Sequence, residues 1–175
     1  MQEDGGWACS LGCVYYTRRV RTLGPVVRAL ELEPRSDWKL PEPYRSRMLP
    51  RETRGLAAAL GLTRLGANLT CLPPGKESSM RHYHTHDDEL IFVLEGELVL
   101  RTAAGEQVMT AGDCAGFVAG DVDGHQLINR SDRPARYLEI SSKDARDVPV
   151  YVDDDLRAAW SSSGEPILTL SLIHI

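Results

Sequence analysis

The sequence predicts an all-β domain, built as an antiparallel sandwich or a small barrel. Three observations carry that prediction. Between residues 62 and 141 the chain divides into short runs separated by Gly, Pro, Asn or Asp clusters at short, regular spacing. Several of these runs alternate apolar and polar residues, the period of a strand with one covered face. No helix-period segment lies between the runs, which argues against a parallel βαβ sheet.

The runs follow one another in order. Leu65, Ala67, Leu69 and Cys71 alternate with Gly66, Asn68 and Thr70, which predicts a strand with its apolar face on the odd positions. Pro73-Pro74-Gly75 ends it, and residues 82–86 read as the next extended piece. Residues 90–94 are apolar on both faces and predict a central, covered strand. After the Glu95-Gly96 turn, residues 97–102 place Leu98 and Leu100 on one face. Ala103-Ala104-Gly105 turns again into residues 106–110, where Val108 stands between polar neighbours. Residues 114–118, 125–129 and 135–141 complete seven or eight strands, with a Gly/Asp-rich loop at 119–124. A closed barrel of such strands hides its edges and encloses a cavity lined by alternate residues.

The flanks are less patterned. Residues 1–40 show no clear period and read as an extended or partly disordered arm, and the basic positions Arg18, Arg19, Arg21 and Arg28 read as a solvated segment. Pro41, Pro43 and Pro50 predict a linker lying along a surface without helix. RGLAAALGL, residues 54–62, predicts one or two helical turns stopped by Gly61. Asp153-Asp154-Asp155 reads as a solvated turn. The final LSLIHI is the translation of a transposon-end adapter used in library preparation, so residues 170–175 are set aside from fold reasoning. The expected organisation is an arm at 1–55, a barrel at 56–145, a C-terminal segment at 146–169 and the suspected scar at 170–175.

Composition narrows the class of function. The 175 residues are 42% hydrophobic and 26% charged, enough apolar material for one core. A net charge of -5 argues against nucleic acid or an anionic membrane as partner. No apolar run is long enough for a transmembrane helix. Cys9 and Cys13 do not form a CxxC pair, and Cys71 and Cys114 are isolated and expected to be buried free thiols, which points to a reducing cytoplasm.

The chemistry gathers at GKESSMRHYHTHDDELIFVLEG, residues 75–96. His82 and His84 are two apart, so on a strand both imidazoles leave one face. Glu89 is five beyond His84 and joins them only if the chain bends within 85–88. His86 falls in that bend and is expected at the cavity mouth or surface. Arg81 and Tyr83 flank the histidines and should point away. Asp87 and Asp88 are expected to be solvated, unless one accepts an imidazole N–H. The fourth candidate is His125, which shares a face with Leu127. Three imidazoles and a carboxylate suit Fe, Mn, Co, Ni, Cu or Zn as divalent ions, and leave coordination positions open. Phe117 is read as core, Asn129 as a buried polar anchor, and Asp121 and Asp123 flank the cavity-side loop.

Gly75-x6-His82-x-His84-x4-Glu89-x6-Gly96 resembles the first motif of the cupin family. Gly112-Asp113-x3-Phe117-Val118-Ala119-Gly120-x4-His125-x3-Asn129 resembles the second, with Val118 where that family usually has proline and with a longer loop before His125. The resemblance implies a double-stranded β-helix, a small jelly-roll barrel with an irregular N-terminal arm. It also implies His82, His84, Glu89 and His125 as ligands of a divalent transition metal. Cupins with this ligand set include dioxygenases, sugar-phosphate isomerases, oxalate-processing enzymes and lyases. The expected function is therefore a metal-dependent enzyme on a small polar substrate. A non-catalytic ligand-binding or sensor module of the same fold is the alternative, and a purely structural metal the third. A homodimer is expected, since the two-faced apolar run at 90–94 calls for a cover from the arm or from a second subunit.

Overall fold

The computed structural model describes residues 26–36, 42–153, 156–160 and 166–170. Within them twelve strands pair antiparallel throughout. One sheet has five strands: β1 (Glu52–Gly55), β2 (Leu65–Leu72), β9 (Ala135–Ser142), β4 (Glu89–Glu95) and β7 (Cys114–Phe117), in that spatial order. Opposite it run β6 (Gly105–Thr110), β5 (Glu97–Thr102) and β8 (Gln126–Ile128). A further ribbon holds β12 (Pro166–Leu170), β11 (Leu156–Trp160), β10 (Pro149–Tyr151) and β3 (His82–His84). A single antiparallel bridge, His82 to His125, joins β3 to the start of β8. The result is antiparallel throughout, as the strand pattern predicts, and it is the jelly roll that the motif resemblance implies.

All eight predicted runs form strands. β1 and β10 to β12 were not read, because Glu52-Thr53-Arg54-Gly55 and the later segments lack apolar alternation. The predicted helical turn is α2 (Leu56–Leu60), and Gly61 ends it in the left-handed region at φ 71°. The proline-rich stretch departs from expectation. Tyr44–Met48 forms α1, with Pro43 before its first residue and Pro50 after its end, two places where proline costs a helix no internal hydrogen bond. Met48 is buried beneath it. Residues 1–25, 37–41 and 171–175 lie outside the described residues, and with them most of the predicted arm, Cys9, Cys13 and the scar beyond Leu170.

The core is filled from both sheets. Leu72, Ile91, Val93, Leu98, Leu100, Met109, Leu127, Ala135 and Tyr137 pack together. On β4 the inward residues are Glu89, Ile91 and Val93, as the alternation predicts. Its outward Leu90 and Leu94 stay exposed, so the expected cover is not supplied by the described residues. On β2 the predicted face is inverted. Gly66, Asn68, Thr70 and Leu72 are all buried, while of the predicted face Leu65 is exposed, Ala67 and Cys71 are half-buried, and Leu69 alone is buried. The interior here is polar: Asn68 Nδ2 donates to Glu139 Oε1 at 2.9 Å, and the Thr53 and Thr70 hydroxyls meet at 3.2 Å. On β6 the buried residue is Met109, not Val108, which is exposed. Cys114 is likewise exposed, on the outer side of an edge strand whose Ala115 and Phe117 pack on the core, so the expected buried thiol is not found.

Gly96 fixes the β4–β5 turn. Its φ is +81°, and a Cβ would stand 3.0 Å from the Pro134 carbonyl oxygen and from Ala135 Cα. Both the positive φ and the close approach require glycine. No helix among the described residues is long and apolar enough to cross a membrane.

Candidate metal centre

β3 is only three residues long, but it presents His82 and His84 on one face, and the chain bends immediately after it at Thr85 and His86. That bend brings Glu89, the first residue of β4, back toward the two rings. One ligand atom from each of His82, His84 and Glu89 lies within 4.8 Å of the others. His125 enters from the bridge to β3. Its Nε2 is 3.5 Å from Glu89 Oε2, and its ring centroid is 4.8 Å from that of His82.

The hydrogen bonds orient each ring. His82 Nδ1 lies 2.9 Å from the Met80 carbonyl oxygen and 2.9 Å from Ser79 Oγ. The Ser79 hydroxyl itself donates to Met80 O, so Nδ1–H is the donor and Nε2 is left facing inward. His84 Nδ1–H donates to Asp147 Oδ2 at 2.6 Å, which aims Nε2 at Glu89 Oε2, 3.4 Å away. Phe117 stacks on His125 with centroids 3.6 Å apart and an interplanar angle of 8°. His125 Nε2 is buried and has no hydrogen-bond partner. A neutral His84 turns a lone pair toward a carboxylate, as does the orphaned His125 nitrogen if it is unprotonated. Acceptors facing acceptors need a proton or a cation between them. Three imidazole nitrogens and one carboxylate oxygen fit a divalent transition ion.

Electrostatics say the same. Burial lowers the His82 pKa to about 3, helped by the charges of His125 and His84, so this ring is neutral and ready to ligate. Burial also opposes charge on His84, but its bonds to Asp147 and Glu89 outweigh that and raise it to about 10. Burial pushes Glu89 up, yet His125 and His84 hold it well below the ordinary carboxylate range. Without an ion, a proton on His84 takes the place of one.

Sequence reasoning missed Asp147. It is buried, and besides His84 it accepts from the Thr85 hydroxyl at 3.4 Å and from the backbone N–H groups of His86 (2.9 Å) and Asp87 (3.2 Å). It therefore fixes both the ring and the bend. The anticipated imidazole acceptor is this residue rather than Asp87 or Asp88. Asp87 is not solvated: it is buried and accepts from Ser142 Oγ and the Asp144 N–H. Asp88 is exposed and accepts from the Ala119 N–H. His86 is exposed, as expected of the bend. Arg81 points away from the centre, onto Asp153 at 2.8 Å and the Asp123 carbonyl, so Asp153 is a pairing residue rather than a merely solvated one. Asp121 serves its own loop, accepting from the Asp123 N–H, and Asp123 ties that loop to the β5–β6 turn by accepting from the Ala103 N–H. Asn129 is fully buried and donates to the Leu72 and Arg133 carbonyls, the anchor its position suggests.

A two-sheet jelly roll in which three histidines and a carboxylate converge defines a class of barrels with a candidate metal centre. Residues 68–141 match the Cupin domain family, and the chain belongs to the cupin superfamily. It is 38% identical to a cupin-superfamily sugar phosphate isomerase from Silicibacter pomeroyi. That match has a TM-score of 0.78 and covers 83% of this chain and 92% of that one. A structure from Acidithiobacillus ferrooxidans is 28% identical with a TM-score of 0.63, covering 71% and 80% of the two chains. The tetracenomycin polyketide synthase protein TcmJ of Streptomyces glaucescens is 38% identical over 85 residues, 48% of this chain. The chain spans about half the length of that curated relative.

Proposed function

We propose that the protein is a metal-dependent isomerase of a small phosphorylated hydroxy-aldehyde or hydroxy-ketone, a sugar phosphate in the broad sense. The observation that carries this reading is the convergence of His82, His84, His125 and Glu89 inside a barrel similar over most of its length to a sugar phosphate isomerase. These four residues would hold the ion. When bound, the ion supplies Lewis-acid polarisation of a carbonyl and its neighbouring hydroxyl. The chain's own residues prepare for it. Met80 O and Asp147 set the tautomers of His82 and His84, and Phe117 holds the plane of His125.

The test is to load the protein with Mn(II), Fe(II), Co(II), Ni(II) or Zn(II) and incubate it with aldose and ketose phosphates of three to six carbons in D2O. Exchange of the C–H next to the carbonyl, with conversion of one isomer to the other in NMR spectra, is the expected result. Tight binding without exchange or conversion would instead favour a ligand-binding module.

The reading includes a homodimer in a reducing cytoplasm. Exposed Leu90 and Leu94 on the outer face of β4, with Leu65 two strands away, form an apolar face suited to a second copy. The free thiols of Cys71 and Cys114 suit a reducing compartment. A monomer mass by light scattering would remove the dimer.

A further inference from the structure

The barrel interior holds a second set of polar groups that the metal centre does not use. They lie on the inward faces of β2 and β9. Register pairs Asn68 with Glu139 and Thr70 with Tyr137, and across β9 it pairs Glu139 with Ile91, two residues along β4 from Glu89. Glu139 therefore sits on the cavity wall one step below the centre. Asn68 Nδ2 donates to its Oε1, and Oε2 makes no hydrogen bond among the described residues. Although it lies deep among strands, Glu139 keeps part of its surface uncovered, so the interior is not packed solid against it. Two residues along the same face, Tyr137 is fully buried and its hydroxyl has no hydrogen-bond partner. That hydroxyl lies beside the Thr70 hydroxyl, and the charges of Arg51, Glu139 and Glu89 act on it.

An uncommitted carboxylate oxygen and an orphaned phenol on one wall are costly for stability alone. Isosteric apolar residues would pack this wall better, as Ile91 and Val93 do on the neighbouring strand β4. We propose that this wall is a substrate subsite, in which Glu139 and Tyr137 take hydroxyl groups of a polyol chain whose reacting end lies at the histidine and Glu89 centre. The free Oε2 of Glu139 can accept from a hydroxyl and the Tyr137 hydroxyl can donate to one, which suits an alcohol, itself both donor and acceptor. The inference rests on the isomerase reading for its substrate class, and it adds the residues that select that class.

The experiment measures binding rather than turnover. The probe is ribitol 5-phosphate, which has no carbonyl to react, titrated by calorimetry into Mn(II)-loaded protein. Glu139→Gln keeps the volume and the Asn68 contact, and Tyr137→Phe removes only the hydroxyl. Metal content and thermal midpoint are recorded for each. The expected result is wild-type binding that weakens about tenfold or more in Glu139→Gln and severalfold in Tyr137→Phe, with metal content unchanged. Equal binding by wild type and both variants overturns the subsite while leaving the isomerase reading intact. A wild type that takes no ribitol 5-phosphate but isomerises a sugar phosphate overturns the subsite as well. A wild type that neither binds the polyol nor isomerises any sugar phosphate overturns both.

Discussion

The two walls of this barrel are made of different material. Ile91, Val93, Leu98, Leu100 and Leu127, from β4, β5 and β8, form a closed apolar surface. Thr53, Asn68, Thr70 and Glu139, from β1, β2 and β9, form a polar one, with hydroxyls and amides paired among themselves. Tyr137 belongs to both: its ring packs on the first set and its hydroxyl faces the second. The apolar wall supplies the burial that holds two sheets together, on the order of 25 cal/mol for each Å² removed from water. The polar wall gives up part of that burial. A fold that could be sealed by hydrophobic residues all round is instead left polar beside its candidate metal-binding residues, as the proposed polyol subsite requires.

Substitutions can break or sharpen that contrast. The largest effect is expected at the centre that the walls enclose. His125→Ala and Glu89→Ala should leave the barrel folded and reduce metal retained after dialysis to a small fraction of wild type, read by elemental analysis with circular dichroism as control. Full retention in both would refute the ligand assignment. Next comes the apolar wall: Leu98→Ala, at a fully buried position, should cost about 2–5 kcal/mol in urea unfolding of the metal-free protein. Asp147→Ala should weaken metal binding about 10–100-fold by competition with a chelating dye, while changing polyol binding only through lost metal. The pH dependence follows from His84. Its pKa is raised to about 10 in the folded, metal-free protein, so its contribution is full below the ordinary value near 6.5 and is lost as pH rises through about 10. Melting of chelated protein should therefore show a decline in stability across that window that His84→Gln flattens, and ion uptake should release a proton there. The smallest effect is expected on the polar wall. Thr70→Val should change stability by only about 1 kcal/mol, the cost of taking the Thr70 hydroxyl from its Thr53 and Tyr137 neighbours. A cost as large as that of Leu98→Ala would erase the distinction between the walls.

How much of this was legible in the sequence depended on which wall was being read. β4 reads correctly because Glu89, Ile91 and Val93 follow the rule that alternate residues point to an apolar interior. β2 reads inverted because its interior residues are Gly66, Asn68 and Thr70, and hydrophobicity ranks them as outward. His82 and His84 were legible as candidate ligands because their spacing is local, and His125 because it falls in a second motif. Asp147 was not, since 63 residues separate it from His84 and nothing in ARDVPV marks it as inward. Glu139 was passed over for the reason β2 was inverted: a carboxylate inside a strand reads as the solvent face. In retrospect the tell was Asn68 and Glu139 at equivalent positions on two strands that could pair.

Asp147 has a consequence for how the protein comes into being. The residue lies past the last strand of the five-stranded sheet, and Val148 beside it exchanges hydrogen bonds with Thr85 through the Val148 N–H and carbonyl. β10 then pairs with β3, placing Pro149 against His84 and Tyr151 against His82. During synthesis the five-stranded sheet can therefore close before β3 has its outer neighbour. A nascent chain cut just after Ser142 would carry all four candidate ligands and yet lack the clamp that aims His84, so the proposed site is completed only after the barrel that houses it.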